Sequence, residues 1–166
     1  MKKTRRFVAL LLAAVLALAL FTACGAAGQS QPTIGEVYED WFVEQLKSKR
    51  PEGKTVQKVN VKRSEMRAAL AKISEDGKFT AGDGHSEGVN GYGESWYWMI
   101  PSDPEAWTVS DNKTVDAVAL TPEKLTQYGP DYFIAEWTLK SIKEYDIVTR
   151  VIGDKTYVAV YFCLEK

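Results

Sequence analysis

Ile147-Val148-Thr149-Arg150-Val151-Ile152 and Thr156-Tyr157-Val158-Ala159-Val160-Tyr161-Phe162-Cys163-Leu164 lie on either side of Gly153-Asp154. Both runs are rich in β-branched and aromatic residues, and Gly-Asp is a two-residue hairpin turn signal. The pair predicts an antiparallel hairpin at the end of the chain. The second run is apolar at every position from Tyr157. Val158, Val160, Phe162 and Leu164 fall on one face, and Tyr157, Ala159, Tyr161 and Cys163 on the other. A strand apolar on both faces belongs inside a covered sheet and not at its edge.

Upstream, Ile34, Val37, Tyr38, Trp41, Phe42 and Leu46 recur at helical spacing. Thr33 and Glu36 fit a capping box, Lys47, Lys49 and Arg50 follow late, and Pro51 stops the run. The pattern predicts a helix over 34–48 whose aromatic stripe is core. Thr55 to Lys62 reads as a strand. Ser64 caps a second predicted helix, with Met66, Ala69, Leu70 and Ile73 as its apolar face and Gly77 as its stop.

Six glycines, Gly77, Gly82, Gly84, Gly88, Gly91 and Gly93, then fall within seventeen positions. Such a stretch loses much backbone entropy on ordering and reads as a long loop or a set of tight turns. Trp96 to Ile100 reads as a buried strand, and Trp107–Val109 and Val115–Leu120 as further strands joined through the turn Ser110-Asp111-Asn112-Lys113. Thr121-Pro122-Glu123 opens a short predicted helix that Gly129-Pro130 ends. Residues 132–139 alternate as a strand. Together these elements predict an α+β domain over 33–166: two or three helices on an antiparallel sheet of about five strands. Early helices and a late curved sheet would suit a cystatin-like or NTF2-like cone.

The first residues carry a different signal. Met1-Lys2-Lys3-Thr4-Arg5-Arg6 is basic, and Phe7 to Phe21 is an apolar run of 15 residues. That is short of the roughly 20 residues a helix needs to cross a bilayer. Small residues then precede a cysteine. A charged start, a short apolar core and a small-residue cleavage site make a secretory signal peptide over 1–23. Leu20-Phe21-Thr22-Ala23-Cys24-Gly25 resembles the lipobox of bacterial lipoproteins, although the position three before Cys24 is Phe21 and Leu20 lies one step earlier. The resemblance covers the leader alone. It implies cleavage after Ala23, acylation of Cys24, and anchorage in the lipid bilayer at the outer face of the cell membrane. Each buried CH₂ of an acyl chain contributes about 0.8 kcal/mol. Gly25 to Pro32 is small and polar and reads as a flexible tether within 24–32, with a reach of about 15 Å.

Cleavage would leave 143 residues with 17 basic and 22 acidic side chains, a net charge of −5. That balance argues against nucleic acid as a partner, which needs a basic face. Charged residues at 26% and hydrophobic residues at 45% exclude disorder. Two cysteines make no disulfide framework. Cys163, in the most apolar strand, reads as a buried structural thiol.

Catalytic and cofactor signatures are thin. His85 is the one histidine, and Asp83, Ser86 and Glu87 beside it are sequence neighbours rather than a triad. One histidine and one free cysteine do not supply a zinc set. Gly82 to Gly88 places its third glycine one residue late for a dinucleotide loop, and Gly53-Lys54-Thr55 lacks the first glycine of a P-loop, since position 48 is Ser48. No cofactor is expected.

The remaining signal is aromatic. Trp96 and Trp98 share one face of their strand, and Tyr97 and Met99 the other. If the tryptophan face is open, Trp96 and Trp98 beside Tyr92 and His85 would make a platform for a sugar ring or an extended peptide. If both faces are covered, the same residues are core. The leading reading is a non-enzymatic binding or interaction module whose ligand is a protein, cell-wall material or a small molecule. The competing readings are a hydrolase using His85 or carboxylates such as Glu94, Asp103, Glu105 and Glu136, and a structural subunit of an envelope complex.

Overall fold

The computed structural model describes residues 31–89, 95–102, 110–125, 127, 129 and 139–165. The chain divides into two units, Met1–Thr33 and Ile34–Lys166, and the second is the one described below. Its described residues form two α-helices, α1 (Ile34–Lys49) and α2 (Arg63–Ala71), and seven strands. The strands are β1 (Gln57–Lys58), β2 (Lys78–Thr80), β3 (His85–Val89), β4 (Ser95–Met99), β5 (Thr114–Asp116), β6 (Ile142–Ile152) and β7 (Lys155–Leu164). The class is α+β.

β7 is the middle strand of a five-stranded sheet in the order β1-β6-β7-β4-β3. Its alternation builds two cores at once. Val158, Val160 and Phe162 pack with Tyr38, Phe42 and Leu46 of α1. Tyr157, Ala159, Tyr161 and Cys163 pack with Met66, Ala69 and Leu70 of α2. Each fully buried large apolar side chain contributes roughly 1.5–3 kcal/mol over its exposed state. α1 and α2 therefore cover opposite faces of β6 and β7. The hairpin turn is tight: Ile152 pairs with Lys155, and Gly153 has φ +62° while Asp154 has a negative φ, as a type II′ turn requires.

The sheet is mixed rather than antiparallel. β1 pairs in parallel with β6, Gln57 opposite Glu144 and Lys58 opposite Tyr145. The strand expected over 55–62 is only these two residues long. After Val59 donates to the Tyr145 carbonyl (2.9 Å), the Arg63 amide donates to the Asn60 carbonyl (3.2 Å) and the chain turns into α2. Ser64 does not cap that helix. Lys62 occupies the cap position without a side-chain bond, and the Ser64 hydroxyl turns to Glu65.

Gly77 does not end α2 either. The helix stops at Ala71, and Gly77, at φ +85°, closes a separate turn by donating to the Ser74 carbonyl (2.9 Å). Much of the glycine-rich stretch is ordered as β2, a 3-10 turn (Ala81–Asp83) and β3. Aromatic rings occupy the space that side chains would need: Phe79 against Gly84 and Trp96 against Gly88. β2 and β5 form a separate two-stranded sheet, and Leu120 then bridges to Thr156. Thr121 to Leu125 make one turn rather than a helix, with Lys124 and Leu125 both donating to the Thr121 carbonyl (2.9 Å each). The expected strand at 107–109 lies outside the described residues, as does that at 132–139 except for Leu139, which is helical and not extended.

Candidate functional site

Antiparallel pairing sets His85 opposite Met99, Ser86 opposite Trp98 and Gly88 opposite Trp96. Directly opposed residues share a face. Trp96 and Trp98 therefore lie on the α2 side of the sheet, and His85 lies on the other side with Met99. Trp98 is buried at 7% exposure, as part of the core around Met66, Ala159 and Tyr161. His85 is exposed. Tyr92, Glu94, Asp103, Glu105 and Glu136 lie outside the described residues. Of the three described residues of the expected aromatic platform, the structure puts Trp96 and Trp98 on one face and His85 on the other, and Trp98 is buried.

Trp96 is the half-buried member of the pair. Its indole lies over Gly88, where a side chain on β3 would collide with the ring. The Lys62 ammonium sits 4.1 Å from the ring centroid. That cation–π contact contributes about 0.5–1 kcal/mol at a partly exposed site. Lys62 also pairs with Glu65 at 3.3 Å, so a lysine at the mouth of α2 covers the ring.

Beside this lies an ion pair whose carboxylate is buried. Asp146, with no exposed surface, accepts two hydrogen bonds from Arg63, from Nε at 2.9 Å and Nη2 at 2.5 Å. Its Oδ1 also accepts from the Ile147 amide at 2.9 Å. This hydrogen-bonded carboxylate raises the Arg63 pKa further. Four residues along β6, Arg150 donates to the carbonyls of Leu70 (2.6 Å) and Ile73 (2.9 Å). Arg150 thereby adds a charged donor to the Leu70 carbonyl, which also accepts from the Ile73 amide, and to the Ile73 carbonyl just past α2, where the helix dipole favours a cation.

On the opposite face Glu39 of α1 joins Lys58 of β1 (2.5 Å) and the Tyr145 hydroxyl (3.5 Å). Burial, and then the Glu39 carboxylate, push the Tyr145 phenol up, which makes it a proton holder rather than a base. The group ties the edge strand to the helix. Asp83, a sequence neighbour of His85, is paired with Lys72 at 2.5 Å. Among the described residues no three His, Cys, Asp or Glu side chains converge as metal ligands do. Cys163 is buried, its thiol 3.8 Å from the Leu164 carbonyl.

Residue patterns did not single out Arg63, Asp146, Arg150 or Glu39. The available signal was one acid and one base, Asp146 and Arg150, inside the otherwise uncharged run 145–152. Among the described residues no helix is long and apolar enough to cross a membrane. Comparison with protein-family models, with curated proteins and with solved structures gives no match.

Proposed function

We propose that this chain is an exported lipoprotein, anchored through acyl chains on Cys24 at the outer face of the cell membrane, and that its α+β domain is a non-enzymatic binding module. The observation that carries the anchor is the leader: a basic start, the apolar run Phe7–Phe21, and Cys24 directly after Thr22-Ala23. Trp96 supports the binding role. It is a half-buried ring with the Lys62 ammonium over it, and a ligand with its own apolar or cationic face would displace Lys62. The finer fold we propose is cystatin-like or NTF2-like. Its support is the long helix α1 laid on one face of the antiparallel run β6-β7-β4-β3.

Fractionation of cells expressing Cys24→Ala tests the anchor. The variant leaves the membrane fraction, and retention equal to the unsubstituted chain would sink the reading. A thermal-shift screen of the full chain against oligosaccharides, wall fragments and peptides tests the binding role. Ligand at a hundred times its dissociation constant adds about 2.7 kcal/mol. A shift that Trp96→Ala abolishes locates the site at that ring, and a shift that survives the substitution removes Trp96 from it.

A further inference from the structure

Among the described residues β6 pairs with β7 on one side and with only the two residues of β1 on the other. The even-numbered residues Asp146 to Ile152 face β7, since Ile152 and Lys155 close a two-residue hairpin. The odd-numbered residues therefore turn their amides and carbonyls outward, as the bond from Val59 to the Tyr145 carbonyl shows. β1 covers this edge only at Glu144 and Tyr145. One residue further, the Asp146 carboxylate takes the Ile147 amide at 2.9 Å. Beyond that point no hydrogen bond from the described residues reaches the Ile147 carbonyl or the amides and carbonyls of Thr149 and Val151. The usual guards of an open edge are missing there: the run 147–151 has no proline and no bulge, and its one charge, Arg150, is engaged with α2. Val151 is 66% exposed, one of two large hydrophobics in the described residues that stand so far out, and Thr149 is exposed as well.

We propose that this edge pairs with the same edge of a second copy of the chain, antiparallel and centred on Thr149, to give one continuous sheet across a dimer. The donor and acceptor pattern fits a second copy: four of the five free groups of the stretch find partners on the two-fold mate. With Thr149 opposite its own counterpart, the two Thr149 amides donate to the two Thr149 carbonyls. The Val151 amide of each copy donates to the Ile147 carbonyl of the other. The return bond of that pair, from the Ile147 amide to the Val151 carbonyl, is not made because Asp146 holds the amide, and the ladder stops there with the Val151 carbonyl turned to water. Val151 lies across from Ile147, so its exposed side chain gains an apolar neighbour. The two-fold axis of such a ladder is perpendicular to the sheet, so α1 of both copies lies on one side. Gly35, in the first turn of α1, sits against Thr149: a Cβ there would fall 2.8 Å from the threonine methyl. Both chains thus enter their domains on the same face and near the axis. The edge argument stands without the lipid anchor. If the anchor holds, two chains in one membrane reach this arrangement without turning over, and tethering raises their effective concentration.

Disulfide trapping tests the pairing in the full chain in detergent. Residues that exchange both hydrogen bonds have Cα atoms about 5.5 Å apart, within reach of a disulfide. Thr149→Cys under mild oxidation forms a species of twice the chain mass at least about tenfold faster than Asp154→Cys, which is also exposed but far from the axis. Adding Val151→Pro or Val151→Lys to Thr149→Cys returns the rate to that of Asp154→Cys. The Val151 amide points outward, so proline there breaks no bond within the chain, and circular dichroism checks that both double variants remain folded. Equal rates for Thr149→Cys and Asp154→Cys would overturn the proposal. So would an adduct of another mass, or trapping that neither Val151 variant slows. Loss of membrane retention in Cys24→Ala bears on the anchor alone, which keeps the two readings separable.

Discussion

Arg63 and Asp146, 83 residues apart in the chain, meet through two parallel hydrogen bonds of 2.9 and 2.5 Å at a carboxylate with no exposed surface. The pair holds the first residue of α2 to β6. The two partners are not equivalent: the Arg63 side chain keeps 34% of its surface in water. Removing Arg63 therefore strands a buried charge, whereas neutralising Asp146 leaves a cation that water can still reach. Arg63→Ala is expected to cost about 3–5 kcal/mol. Asp146→Asn costs less, and the double variant is more stable than Arg63→Ala alone. Urea denaturation of the three proteins checks the order, and a double variant no better than Arg63→Ala would show that packing rather than charge dominates.

Gly88 and Trp96 make a second pair open to direct test. Gly88→Ala places a methyl group where the indole now lies. The ring must move, at a cost of about 1–3 kcal/mol, as overpacking typically does. Tryptophan emission should shift to the red as Trp96 gains water. An unchanged spectrum with full stability would mean that the ring has room to spare.

Cys163 is 4% exposed and packed among Ala159, Tyr161 and Trp98. Cys163→Ser replaces a weakly polar thiol by a hydroxyl in an apolar setting, at about 1–3 kcal/mol. Membrane retention and any ligand-induced thermal shift should survive it. A folded Cys163→Ser protein that had lost ligand binding would assign the thiol a role other than packing.

Glu165 carries part of the pH dependence, beside Glu65, Asp76 and Glu123, whose carboxyls are also held low. The Arg50 guanidinium, at 2.7 Å, and secondarily Lys54, at 3.3 Å, hold its carboxyl below the usual value. A carboxylate depressed in the folded state contributes stability above its unfolded pKa. That contribution is lost as pH falls through the folded value. The protein should therefore weaken on acidification below the ordinary carboxylate range, about 4.3. Glu165→Gln should flatten this part of the profile. The Arg50 side chain is only 1% exposed, and among the described residues its Nε and Nη1 meet no hydrogen-bond partner, so the loss of Glu165 also leaves a buried cation short of its main acceptor. Melting temperatures from pH 3 to pH 7 for both proteins measure the difference, and parallel profiles would contradict the assignment.

Local signals reached a long way in this chain. The Gly153 hairpin, the two-faced β7 and the span of α1 were legible because each depends on residues within a few turns of one another. Alternation with period two, a tight glycine turn and a 3.6-residue stripe are all short-range patterns. The pairing of Trp96 with Trp98 on one face was legible for the same reason.

Contacts across the chain were not. Composition gave no means of telling that Trp98 is sealed while Trp96 lies under Lys62, since the two residues share one strand and one face. The difference comes from which end of α2 lies above them. Nor did local pattern show that 55–62 would keep two paired residues and turn away at Asn60. That turn follows from Arg63 finding Asp146 on a strand more than eighty residues later. His85 and the tryptophans, close in sequence, are separated by the pleat once β3 pairs with β4. The leader needed no fold to be read, because its recognition depends on charge, length and a cysteine in linear order. The open edge of β6 needed the whole sheet: whether a strand has one neighbour or two is decided by where the rest of the chain goes.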